Sequence, residues 1–147
     1  MPAGQPDPVR DRALAAESDL IARYDTALAL PSVTADAVLS AKLRTIRAEH
    51  SSHAAAIGAG YTPPSTPPPT PPAATPPSST PPPTPPEATV PPVDAKTTVA
   101  TLAKAEQDAA SARTTDILST DAATAMLLAS VAAAEAGHAA LLLGGTA

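Results

Sequence analysis

The residues able to do chemistry in this chain are acids and histidines placed where a helix should be apolar. In Val131-Ala-Ala-Ala-Glu135-Ala-Gly-His138-Ala-Ala-Leu-Leu142 a carboxylate and an imidazole one turn apart interrupt an apolar stripe. Alternating steps of four and three residues pick out Thr124, Leu128, Val131, Glu135, His138 and Leu142 as the inward seam of a helix. An unpaired buried carboxylate is costly, so a counter-charge, a proton or a metal ion must accompany Glu135. Three other stripes carry the same anomaly. Glu17 is central to Ala13/Leu14, Leu20/Ile21, Tyr24 and Leu28, and Glu106 to Val99, Leu102/Ala103, Ala109/Ala110, Arg113 and Ile117. His50 and His53 continue the seam Leu39, Leu43, Ile46 and Ile57, with Glu49 at its border, able to swing in or out.

Composition narrows the chemistry. Without cysteine there is no thiolate zinc site, iron–sulfur cluster, disulfide or cysteine nucleophile, so a metal would be held by Asp, Glu and His. No glycine-rich phosphate loop, nucleophile elbow or zinc-protease helix is present, which argues against hydrolase and transferase chemistry. Haem ligation by His50 or His138 is a minor alternative. A net charge of -5, two tyrosines and no basic cluster argue against nucleic acid and anionic membrane as partners. The most apolar tract, Met126 to Leu143, carries Glu135 and His138 at its middle, so no transmembrane segment is expected.

Four helices must position these residues. Abundant Ala, Leu, Ile and Val with neither Phe nor Trp predict an all-α fold with a thin core. The first helix should run from near Pro8 to about Leu30, where Pro31 stops it, and Pro31-Ser-Val-Thr34 should be a short turn with Thr34 as cap. The second is expected from about Ala35 to Ile57, ended by Gly58-Ala-Gly60. The third should start at Val93-Asp94, with Asp94 as cap, and end near Ser119-Thr120; Thr120-Asp121 then turns into the fourth. The expected organisation is a flexible N-terminus over 1–8, a helical hairpin over 9–60, a connector over 61–93 and a second hairpin over 94–147, both hairpins forming one domain. Most of the 20 prolines fall in the connector, whose Thr-Pro-Pro units suit polyproline II or disorder and suggest a spacer.

The two hairpins resemble each other. Aligning His53-Ala-Ala-Ala-Ile-Gly-Ala-Gly60 with His138-Ala-Ala-Leu-Leu-Leu-Gly-Gly145 sets His50 opposite Glu135 and Glu17 opposite Glu106. An acid on the first and third helices, with acid-x-x-His on the second and fourth and a long crossover between the hairpins, is the ligand plan of ferritin-like di-metal bundles. The chain resembles the ferritin-like superfamily, in particular the Ala-rich, largely uncharacterised ferritin-like domains typical of actinobacteria. That resemblance implies a four-helix bundle, iron or manganese at a di-metal site, and a redox or storage role. Carried over position by position, it assigns Glu17, Glu106, Glu135 and His138 as ligands, with His53 as the second-helix histidine. The second-helix acid is replaced by His50, while Glu49 is out of phase by one residue. The rival reading is a non-catalytic structural or interaction bundle whose buried Glu, His and Arg113 pair internally without metal; its protein partner is unknown.

Such relatives are often exported or lipid-anchored. The opening Met1-Pro-Ala-Gly-Gln-Pro-Asp-Pro has neither the charge nor the apolar core of a signal, but its Pro-Asp character is that of a tether after a cleaved one. A cell-envelope location and an in-frame apolar segment upstream are therefore expected. Nothing in the connector can offset its chain entropy by burial. Replacing residues 63 to 92 by a Gly/Ser linker of equal length should leave helicity and melting temperature nearly unchanged; a loss of several degrees would show that the prolines pack on the helices.

Overall fold

The computed structural model describes residues 6–61, 63 and 93–144. Among these the fold is all-helical: α1 (Pro8–Leu28), α2 (Pro31–Thr34), α3 (Ala37–Gly58), α4 (Ala95–Ile117) and α5 (Ala122–Gly144). Local chemistry sets the starts. Asp7 accepts from the backbone N–H groups of Val9 and Arg10, with Pro8 at the first helical position, where a missing N–H costs nothing. Asp94 caps α4 through Thr97 N at 2.8 Å, as the sequence suggested, and Asp121 caps α5 through Ala123 N and Thr124 N, both at 3.0 Å.

The first inter-helix link departs from expectation. Pro31–Thr34 is a helical turn of its own, and the cap of α3 is Asp36, whose carboxylate accepts from Leu39 N at 2.9 Å. Thr34 instead bonds back to Pro31 O, so α3 begins two residues later than expected. A carboxylate carries more negative charge to a helix N-terminus than a hydroxyl, and Asp36 wins that competition. At the far end of α3, Gly60 adopts φ 70°, a backbone conformation that side chains disfavour. The turn brings Tyr61 against α1, where its hydroxyl donates to Asp11 Oδ1 at 2.7 Å and accepts from Asp7 N at 3.1 Å.

Contacts at the helix ends fix the directions. Arg10, at the start of α1, donates to the carbonyls of Ile57 and Ala59 at the end of α3 and to Thr124 Oγ1 at the start of α5. Arg12 holds Asp116, at the end of α4, at 2.7 Å. At the opposite end, Ser32 Oγ donates to Val93 O just before α4, and Lys42 Nζ reaches Leu141 O near the end of α5. α1 and α5 therefore run one way, and α3 and α4 the other. α1 packs on α3 and α4, and α5 on α4 and α3, which closes a ring of four helices. The chain leaves α3 at one end and enters α4 at the other, so the connector, which apart from Tyr61, Pro63 and Val93 lies outside the described residues, joins opposite ends.

Two apolar clusters fill the interior. One, at the α2 end, contains Tyr24, Val33, Leu43, Ile46, Val99, Leu102 and Leu142; the other, at the Arg10 end, contains Val9, Ala13, Ile57, Leu128 and Val131. By chain position the buried acids and histidines fall between them. α5 is the one described helix long and apolar enough to cross a membrane, by length and composition alone, with a mean hydropathy of 1.7 over its most apolar window. It nevertheless buries its polar pair, Glu135 and His138, in the protein.

Leu43 has no exposed surface and belongs to the larger cluster. Leu43→Ala should cost about 2–5 kcal/mol in chemical denaturation, because the cavity cannot fully collapse. Val38→Ala, at a position 76% exposed, should stay within about 0.5 kcal/mol.

Candidate metal centre

Each long helix delivers an ionisable side chain to one buried layer. The α5 seam is as the spacing predicts, with Thr124, Leu128, Val131, Glu135, His138 and Leu142 all buried. Glu17 of α1, His50 of α3 and Glu106 of α4 are likewise inaccessible to solvent. At the hub is His50, with Nδ1 2.9 Å from Glu17 Oε2 and Nε2 2.8 Å from Glu106 Oε1. Between two ionised carboxylates, which only accept hydrogen bonds, both ring nitrogens would donate and the imidazole would be cationic. Burial opposes that charge, yet Glu106 and Glu17 outweigh it and raise His50 to about 9.

Glu106 has a second donor that sequence reasoning did not assign to the site. Tyr24 OH donates to Glu106 Oε1 at 2.6 Å, from a side chain with no exposed surface. Its signal was in the sequence, since Tyr24 lies two turns after Glu17 on the same stripe. Burial would raise the Glu106 carboxyl, but His138, His50 and Tyr24 overcome it and hold the group at about 2. The tyrosine itself is pushed up, by burial first and then by its bond to Glu106.

The remaining candidates divide. His138 Nε2 meets Glu49 Oε2 at 2.5 Å, and its Nδ1 faces Glu106 Oε2 at 3.5 Å, an ion-pair contact longer than a good hydrogen bond. Glu49 has a half-exposed side chain and so stands behind His138 as its orienting partner, on the far side from Glu106. Because that carboxylate accepts a hydrogen bond from Nε2–H, Nδ1 is the nitrogen presented inward. Burial lowers the His138 imidazole, but Glu106 and Glu49 outweigh it and leave the group raised. His53 is only partly buried, with Nδ1 3.8 Å from Glu17 Oε1, and burial holds it below its ordinary value.

Glu135 and Arg113 do not pair with each other in an ion pair. Arg113, buried on the α4 stripe, has its contact with Asp116 at 3.3 Å, one turn along the same helix, and Asp116 is also held by Arg12. Among the described residues the ion pair of Arg113 is thus with Asp116, and its charge reaches Glu135 only at longer range. Glu135 keeps both carboxylate oxygens buried without a hydrogen-bond partner. Burial, followed by the charge of Glu17, pushes it up to about 7, against the opposing charge of Arg113.

Two groups of side chains have ligand atoms within 4.8 Å of one another: Glu17 with His50 and His53, and His50 with Glu106 and His138. Either could hold a metal ion. Glu135 lies outside both groups. The donor set fits a metal: besides Arg113 Nε and Nη1, which cannot ligate, the buried side-chain atoms without hydrogen-bond partners among the described residues are Glu17 Oε1, His53 Nδ1, Glu106 Oε2, Glu135 Oε1 and Oε2, and His138 Nδ1. These are oxygen and nitrogen donors on all four long helices. No family model, no curated protein and no solved structure matches this chain.

The shifts fix the pH dependence of the metal-free protein. Glu135 and His50 hold protons in the fold more tightly than in the unfolded chain. The stability they contribute is full below their unfolded values and is lost as pH rises through about 7 and then about 9. Glu106 acts oppositely, contributing above its unfolded value and losing that contribution as pH falls toward about 2. His53 works against the alkaline trend. In thermal melts with chelator present, stability should peak near about pH 5 and fall by several degrees on both sides. Glu135→Gln should flatten the fall between about pH 5 and pH 7.

Proposed function

We propose that this chain is a ferritin-like four-helix bundle that binds divalent metal in its buried Glu/His layer, with iron or manganese and a redox or storage role implied by the family resemblance. The observation that carries the reading is the set of buried oxygen and nitrogen atoms without hydrogen-bond partners on four separate helices. The paired directions, α1 with α5 and α3 with α4, support the bundle, since they require the long crossover of ferritin-like topology. Glu17, His50, His53, Glu106 and His138 would hold the metal and Glu49 would orient His138, while Glu135, a ligand by the resemblance, stands outside both groups. A bound iron or manganese would supply one-electron chemistry. Two apolar clusters flank the layer, and Tyr24 holds one oxygen of Glu106 in place.

One observation favours the rival, a structural or interaction bundle without metal. His50 already satisfies both ring nitrogens through Glu17 and Glu106, a closed link that needs no ion. Thermal melts with Fe²⁺, Mn²⁺ or Zn²⁺ separate the two. Metal at about a hundred times its dissociation constant should stabilise the fold by about 2.7 kcal/mol, and more at higher pH because ligands must lose protons. Glu106→Gln and His138→Ala should each lose a measurable part of that gain. A wild type indifferent to all three ions would leave the metal-free bundle.

A further inference from the structure

The two ligand groups share one member. His50 belongs to both, and its two ring nitrogens face different carboxylates from different helices, Nδ1 toward Glu17 and Nε2 toward Glu106. A carboxylate at this position could place two oxygens side by side on a close pair of ions. An imidazole cannot, because its two lone pairs diverge from opposite edges of a rigid ring. Each nitrogen can serve only the group on its own side.

We propose that His50 is a ligand common to two separate cation sites, one completed by Glu17 and His53 on its Nδ1 side and the other by Glu106 and His138 on its Nε2 side. The cations are divalent transition ions that accept imidazole together with carboxylate. The inference rests on the metal-binding reading above and divides its layer in two. Buried atoms without hydrogen-bond partners lie in each group: Glu17 Oε1 and His53 Nδ1 in one, Glu106 Oε2 and His138 Nδ1 in the other. Glu49 fixes the presentation of His138 in the second group by accepting a hydrogen bond from its Nε2–H. As each ion binds, it replaces one N–H proton of the His50 ring, which passes to water, with no change of oxidation state. Glu135 lies outside both groups and belongs to neither site.

The test is a Zn²⁺ titration of the full chain, reading stoichiometry by equilibrium dialysis and the ring nitrogens of each histidine by ¹⁵N NMR. Wild type should take up two equivalents, with both His50 nitrogens moving to metal-bound shifts. His53→Ala and His138→Ala should each retain one equivalent, and His50→Ala should weaken both sites at least tenfold. Should His50→Ala fail to fold, as judged by helicity, the wild-type nitrogen shifts alone decide. Uptake of one equivalent, or of two with either His50 nitrogen still protonated, overturns the shared ligand and leaves the metal-binding reading standing. No uptake of Zn²⁺, Mn²⁺ or Fe²⁺ overturns both.

Discussion

The bond pair that joins Glu17 to Glu106 through His50 ties three helices together at the point where their burial is most costly. Each carboxylate has no exposed surface, and the imidazole is the one partner that both share. Sliding α1 one turn along α3 would carry Glu17 about 5.4 Å from its partner, stranding an anion and weakening the hold on a cation in the interior. Register between α1, α3 and α4 is thus set by polar contacts of fixed length. An Ala-rich interface alone would set it poorly, because alanine surfaces have little relief to interlock.

The same layer depends on what lies above and below it. Tyr24, Leu43, Ile46 and Leu142 seal it on one side, and Val9, Ile57, Leu128 and Val131 on the other. Excluding water strengthens the bonds to His50 and, equally, raises the cost of Glu135, whose carboxylate has no donor. One dry environment therefore holds Glu106 ionised and pushes Glu135 toward the neutral acid. The difference lies in the groups that face each carboxylate: His50, Tyr24 and His138 turn toward Glu106, and no donor turns toward Glu135.

Much of this was legible in the sequence because helical spacing is a strong signal. All six inward positions of α5 and the central places of Glu17, His50 and Glu106 follow from it. What periodicity cannot give is the direction of a side chain at the edge of a stripe. Glu49 borders the seam and could have turned in; it lies outside and meets His138 across the α3–α5 contact. Arg113 is on the inward stripe, yet its reach is long enough to choose between partners, and it is Asp116 that it meets. The short helix at Pro31 was hidden for another reason: Thr34 and Asp36 are both acceptable caps, and only the folded backbone shows which is used.

The connector's two anchorages have a consequence for how the halves are held together. Tyr61 is tied at the α1 start and Val93 at the α2 end, so the polypeptide between them is the sole covalent link from the α1–α3 pair to the α4–α5 pair. That tether makes docking of the pairs an intramolecular event at an effective concentration set by its length. A protease cut anywhere along it would leave every helix intact while turning that docking into an ordinary association of two fragments. Neither fragment would then carry the whole of the buried polar layer.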